Sequence, residues 1–119
     1  MTGVQTCALP ICGFTYLDDI AAGTIAGLQP VGYELINLGG HEVVSINELI
    51  QRLEDKIGKK AHIIRKETNP ADMRTNHADI SKAREILGWE PKTSLSEGLQ
   101  QLIDWYQAER EWTSQVKTL

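Results

Sequence analysis

The sequence predicts an α/β fold, and three observations carry that prediction. Short β-favouring runs alternate with stretches whose apolar residues recur at helical spacing. Serine stands three residues before glutamate at Ser45/Glu48 and at Ser94/Glu97, the spacing of a capping box at a helix start. Glycine follows two of the helical stretches, at Gly58 and Gly88, where a left-handed residue closes a helix. At 119 residues, 41% of them apolar, one small domain is the ceiling.

Phe14-Thr15-Tyr16-Leu17 is a β-favouring run, and Asp18-Asp19 then opens a helix carrying Ile20, Ala21, Ala22, Thr24, Ile25 and Leu28, with an aspartate as its cap. Residues 33–38, Tyr-Glu-Leu-Ile-Asn-Leu, suit a strand, and Gly39-Gly40 after them a sharp turn. Ser45 and Glu48 then start a helix with Ile46, Leu49, Ile50, Leu53 and Ile57 on one face, stopped by Gly58. A short strand over 61–64 leads to the loop holding Pro70 and Asp72. Asp79 caps a brief helix with Ile80, Ala83, Ile86 and Leu87 on one side; Gly88 ends it and Pro91 bars its continuation. In the last helix Leu95, Leu99, Leu102, Ile103 and Tyr106 form one stripe behind the Ser94/Glu97 box. No internal repeat or low-complexity segment interrupts the series.

Charge and composition exclude several function classes. The net charge of −4, with acidic and basic residues interspersed, offers no basic stripe for nucleic acid. No apolar run approaches the ~20 residues that span a bilayer, and no signal-peptide pattern is present, so a cytoplasmic protein is the expectation. His41, His62 and His77 are scattered without ligand spacing, which argues against a metal site. Asp79, Ser45, Ser94 and Glu97 read as helix caps rather than catalysts. Trp89 is expected to pack on the helix ending at Gly88, and Trp105 and Trp112 to serve packing or an interface. Gly39-Gly40 reads as a turn, not a phosphate loop.

The most informative stretch runs from Asn69 to Tyr106. It contains Asn69-Pro-Ala-Asp-Met-Arg74, Ala78-Asp79-Ile80-Ser81-Lys82-Ala83, Leu87-Gly88-Trp89-Glu90-Pro91, Leu95-Ser96-Glu97-Gly98-Leu99 and Asp104-Trp105-Tyr106. This series resembles the carboxy-terminal signature of the extended short-chain dehydrogenase/reductase family, specifically its NAD-dependent nucleotide-sugar epimerases and dehydratases. The resemblance covers residues 13 to about 111. It implies an α/β, carboxy-terminal, substrate-binding part of such an enzyme, with the Rossmann cofactor half missing. No glycine-rich strand-to-helix fingerprint for a dinucleotide is present. Nor does a lysine stand four residues after Tyr16, Tyr33 or Tyr106, where the family pairs it with its catalytic tyrosine; those positions hold Ile20, Asn37 and Arg110. The chain is thus expected not to turn over substrate alone, and NAD is expected in the parent enzyme rather than on this chain.

The resemblance also names candidate substrate-binding residues. Asp72 is implied to accept hydrogen bonds from the ribose hydroxyls of a nucleotide sugar, a task suited to a carboxylate that can accept from two hydroxyls. Family members carry an arginine where this chain has Asn69, which puts one diphosphate contact in doubt; Arg65, Lys66 or Arg74 are left to supply the charge. Another family arginine, also contacting the diphosphate, falls at Cys12, and cysteine has no guanidinium fork. The parent is read as a 4-epimerase of UDP-glucuronate or UDP-glucose, with a 4,6-dehydratase and a non-enzymatic nucleotide-sugar-binding or interaction module as alternatives. A homodimeric parent is compatible with the sequence and not specified by it.

Residues 1–11, Met-Thr-Gly-Val-Gln-Thr-Cys-Ala-Leu-Pro-Ile, resemble the translation of a widely used sequencing adapter. On that reading 1–12 is a foreign segment and junction, 13–111 the nucleotide-sugar-binding region, and 112–119 a tail. The adapter ends one base into codon 12, so arginine is the expected native residue there. Cys7 and Cys12 accordingly form neither a disulfide nor a metal pair.

Overall fold

The structure, a computed structural model, describes residues 4–6, 11–30, 32–65 and 74–116. Ten elements follow one another: β1 (Val4–Thr6), β2 (Ile11–Gly13), α1 (Leu17–Ala26), β3 (Val43–Ser45), α2 (Ile46–Ile57), β4 (Ile63–Arg65), β5 (Thr75–Asn76), α3 (Ser81–Leu87), α4 (Leu95–Ala108) and α5 (Arg110–Thr113). The strands form two small sheets. β1 pairs with β4 in parallel, while β2 lies between antiparallel β3 and parallel β5.

The helices that the sequence caps most clearly form as expected. The Ser45 hydroxyl oxygen accepts the Glu48 amide at 3.2 Å, and Gly58 closes α2 in the left-handed region at φ 70°. Ser94 and Glu97 make the full reciprocal box at the start of α4: the Glu97 amide donates to the Ser94 hydroxyl, and the Glu97 carboxylate accepts the Ser94 amide at 3.0 Å. At α2 the second half of the box is diverted, because the Glu48 carboxylate takes Arg52 one turn on at 2.7 Å. The Asp79 carboxylate accepts both the amide and the hydroxyl of Ser81, so it caps α3 from two residues before its first turn.

Elsewhere the expectations are corrected. The strand expected over 14–17 is displaced to β2, because 14–17 bends into α1 and the Phe14 carbonyl meets the backbone of Gly40, where a Cβ would collide with it. Gly39-Gly40 therefore serves a close approach of two backbones rather than a sharp turn. No aspartate caps α1. Its N-cap is Tyr16 without a side-chain bond, and Asp19 lies in the first turn facing inward with Gly23. Of the residues read along this helix, Ala21, Ala22, Thr24, Ile25 and Leu28 meet solvent and Ile20 is half-buried. Residues 33–38 form no ladder. β3, β5 and α5 were not anticipated, being only two to four residues long. β1 lies within the adapter-like segment and β2 crosses its boundary; ladder bonds use backbone groups that every non-proline residue has, so foreign sequence can fill them.

Two small cores result. One joins Val44, Leu95 and Leu99 with Phe14, Leu49 and Leu53; the other joins Ile80, Ala83 and Trp89 with Ile36, Leu38 and Leu87. Trp89 thus packs on α3 as expected. Asp19 links the two cores: its carbonyl accepts the Trp89 indole N–H at 2.9 Å and its carboxylate accepts the Thr93 amide at 2.9 Å, just before α4. Glu42 adds a second tie, accepting the Leu95 amide at 2.8 Å. Two of the five residues of the α4 stripe stay open, since Leu95, Leu99 and Ile103 are buried while Leu102 and Tyr106 are exposed. Trp105 and Trp112 meet edge to face with ring centres 5.8 Å apart. The Cα radius of gyration is 16.7 Å. A compact domain of this length has about 13–14 Å, so the chain is more spread than a self-sufficient core allows.

Candidate functional site

The β2–β5 ladder brings together two of the four residues singled out by sequence. Cys12 pairs with Asn76, Ile11 with Thr75, and the Ile11 amide donates to the Arg74 carbonyl at 3.0 Å. Cys12 therefore lies in β2 while Arg74 immediately precedes the neighbouring β5, although 62 positions separate them. Cys12 is a half-buried free thiol whose β3 partner is Val44, whereas Arg74 is exposed. Asn69 and Asp72, with Lys66, lie outside the described residues. Arg65 ends β4, on the other sheet. Of the two alternative cations among the described residues, Arg65 and Arg74, it is Arg74 that lies beside the β2 strand of Cys12.

Next to this ladder lies a cleft of about 400 Å³ where His41, His77, Asp79, Ser81 and Arg84 meet Gly40, Ala78 and Ile80. Gly13, ending β2, abuts Gly40 and His77 and so connects ladder and cleft. Its anionic wall is Asp79. The Ser81 hydroxyl bond, then the Ser81 amide, and the charge of His77 hold that carboxyl below its ordinary value. Arg84 is turned partly away, pairing with Glu90 at 3.3 Å. Sequence reading saw His41 and His77 as unrelated; nothing in their spacing signals that one cleft gathers them. Asn76 was missed in the same way, because a two-residue strand has no periodicity. Among the described residues no group of three or more His, Cys, Asp or Glu is arranged to hold a metal ion.

A second groove, about 490 Å³ and mainly apolar, runs between the Phe14–Tyr16 segment, Leu49 and the α4 residues Leu95, Leu99 and Trp105. The Tyr16 hydroxyl donates to Gln101 at 2.6 Å across it. Pyrophosphate binding uses a glycine loop opening onto free helix amides; here the Ser45 and Ser94 hydroxyls each accept one first-turn amide, the Asp79 carboxylate accepts the Ser81 amide, and the first turn of α1 carries Asp18 and Asp19, so the described starts of α1 to α4 do not offer that arrangement.

The sequence profile of the GDP-mannose 4,6 dehydratase family matches residues 26–102. The chain belongs to that family. Its fold is the α/β fold of the extended short-chain dehydrogenase/reductase epimerases and dehydratases, of which it covers a part. The family chain is 49% identical over 105 residues to a UDP-glucuronate 4-epimerase of Thermodesulfobacterium geofontis, covering 87% of this chain and 32% of the relative. It is 37% identical to the UDP-glucuronic acid 4-epimerase of Bacillus cereus solved with UDP-glucuronic acid and NAD (TM-score 0.73; 85% of this chain, 35% of that one). The Thermotoga maritima UDP-glucose 4-epimerase solved with UDP-glucose is 26% identical, with a TM-score of 0.82 over 92% of this chain and 35% of that one. The chain thus spans about a third of the length of the curated relatives it first matches. Among the described residues no helix is long and apolar enough to cross a membrane.

Proposed function

We propose that this chain is the nucleotide-sugar-holding region of an NAD-dependent 4-epimerase of the UDP-glucuronate type. The single observation that carries the reading is the 49% identity to a UDP-glucuronate 4-epimerase across 87% of the chain. In this reading residues 13–111 hold the nucleotide end of the substrate, and 1–12 are foreign sequence. Asp72 accepts the ribose hydroxyls, and Arg74, just before β5 and bonded through its carbonyl to the Ile11 amide, supplies a guanidinium to the diphosphate near Cys12, with Asn69 unable to supply one. Anchoring a remote nucleotide contributes to catalysis by fixing where the reacting sugar carbon sits, so the region positions substrate without moving a proton or hydride itself. Oxidation at the sugar and return of the hydride need a nicotinamide, which in this reading is held by the rest of the parent enzyme. The partner is then a nucleotide sugar, and this reading calls for no nucleic acid or membrane.

A second reading is a 4,6-dehydratase, favoured by the family profile that matches residues 26–102. Calorimetric titration of the purified chain with UDP and with GDP separates the two. Saturable binding of UDP, with GDP weaker and no epimerisation of UDP-glucuronate, is the expected result. Preference for GDP moves the assignment to the dehydratase, and no saturable binding of either nucleotide removes the nucleotide-sugar reading in favour of an interaction module. Cys12→Arg is expected to tighten UDP binding about tenfold, the effect of one charged hydrogen bond of roughly 1.5 kcal/mol.

A further inference from the structure

Asn76 is the register partner of position 12 in the parallel β2–β5 pair. Register partners carry their side chains on the same face of a sheet, and successive residues of a strand alternate between the two faces. On the β3 side, position 12 is paired with Val44, which is 5% exposed and belongs to the core with Leu95 and Leu99. On the other side it meets Asn76, which is exposed on β5, an edge strand of this sheet. The opposite face is taken by Gly13 and His77, since a Cβ on Gly13 would lie 3.6 Å from the His77 ring. A long side chain at position 12 is thus closed off by the core on one flank and reaches solvent past Asn76 on the other.

Among the described residues no hydrogen bond or ion pair engages the Asn76 side chain, while the ladder holds its backbone. The carboxamide therefore has both its acceptor and its donors to offer. Arginine has five N–H donors and no acceptor, and a phosphate takes two of them in a fork. A carboxamide oxygen alongside can take a third, which fixes the guanidinium plane before the anion arrives and leaves the fork open. Asparagine suits this place because it is neutral; an aspartate there would add a charge that repels the diphosphate.

We propose that Asn76 is a positioning residue for the diphosphate end of the nucleotide sugar: its carboxamide oxygen accepts from an arginine at position 12 and sets that guanidinium toward the phosphates. This rests on the function proposed above and adds to it how the anion contact is oriented. In this role Asn76 acts through position 12 and not on the reacting end of the sugar.

A double-mutant cycle on the 119-residue chain tests it, read by calorimetric titration with UDP. In the Cys12→Arg background, Asn76→Ala and the nearly isosteric Asn76→Leu are each expected to weaken UDP binding about tenfold, the loss of one charged hydrogen bond. That loss should exceed the loss with Cys12 retained by at least about fivefold. Asn76→Gln keeps the carboxamide and should recover most of the affinity. Because Asn76 is exposed and its ladder bonds belong to the backbone, none of the three substitutions should move the unfolding midpoint. A readout without UDP accompanies the cycle: the side-chain amide signals of Asn76 in NMR spectra, assigned by their loss in Asn76→Ala. They are expected to shift between the Cys12 and Cys12→Arg chains, and to shift again, saturably, when inorganic pyrophosphate is added to the latter. Equal losses in both backgrounds, or no loss in either while UDP still binds, overturn the role of Asn76 and leave the nucleotide-sugar reading standing. Unshifted Asn76 signals in Cys12→Arg overturn it as well. If no variant binds UDP, the nucleotide-sugar reading falls and the proposal falls with it.

Discussion

A buried carboxylate at Asp19 ties segments 74 positions apart, because its oxygen accepts the Thr93 amide while its own carbonyl takes the Trp89 indole. Burial pushes this carboxyl upward. The Thr93 and Lys92 backbone bonds, the Thr93 hydroxyl and the charge of His41 outweigh that push and hold it below its ordinary 3.8. A carboxyl depressed in the folded state adds stability that is present above the unfolded value and is lost as pH falls through the folded one. Asp19→Asn keeps one acceptor oxygen and removes the charge, so it should cost about 1–3 kcal/mol at pH 7. The difference between parent and variant should shrink when denaturant unfolding is repeated below pH 4. A difference that stays constant from pH 7 to pH 3 would mean that the charge contributes nothing.

The local signals that proved reliable among the elements were those whose whole mechanism lies within four residues. Ser94 and Glu97 need only each other, and α4 begins where they say. Ser45 and Glu48 gave the right start for α2 but lost half their box, since Arg52 offered Glu48 a nearer charge. Ser94→Ala should therefore cost about 1 kcal/mol, and more than Ser45→Ala, when chemical unfolding midpoints are compared at equal slope. Equal losses at the two sites would show that the reciprocal half of the box at Ser94 is idle. Signals that depend on distant partners misled. Asp19 has the sequence appearance of a cap and was drawn to Thr93; residues 33–38 have the composition of a strand and found no neighbour. The ladder that unites Cys12 with Arg74 rests on strands of two and three residues, too short to show a period, and the roles of Asn69 and Asp72 came from family resemblance alone.

At the scale of the whole molecule, a radius of gyration of 16.7 Å goes with two separate cores and an exposed apolar helix side. On the function proposed above, such a chain retains affinity for the nucleotide while lacking the chemistry, and that division can be measured. A chimera that places residues 13–116 in the corresponding third of the Thermodesulfobacterium geofontis epimerase is expected to epimerise UDP-glucuronate when position 12 carries arginine. With Cys12 retained, the lost contact to the diphosphate acts on substrate and transition state alike, because the diphosphate does not change during the reaction. KM should then rise about 10–100-fold with kcat nearly unchanged, matching a charged hydrogen bond of roughly 1.5–3 kcal/mol. Should kcat fall while KM stays constant, position 12 would be coupled to the reacting end of the sugar, and the assignment of the β2–β5 ladder to the nucleotide end would have to be withdrawn.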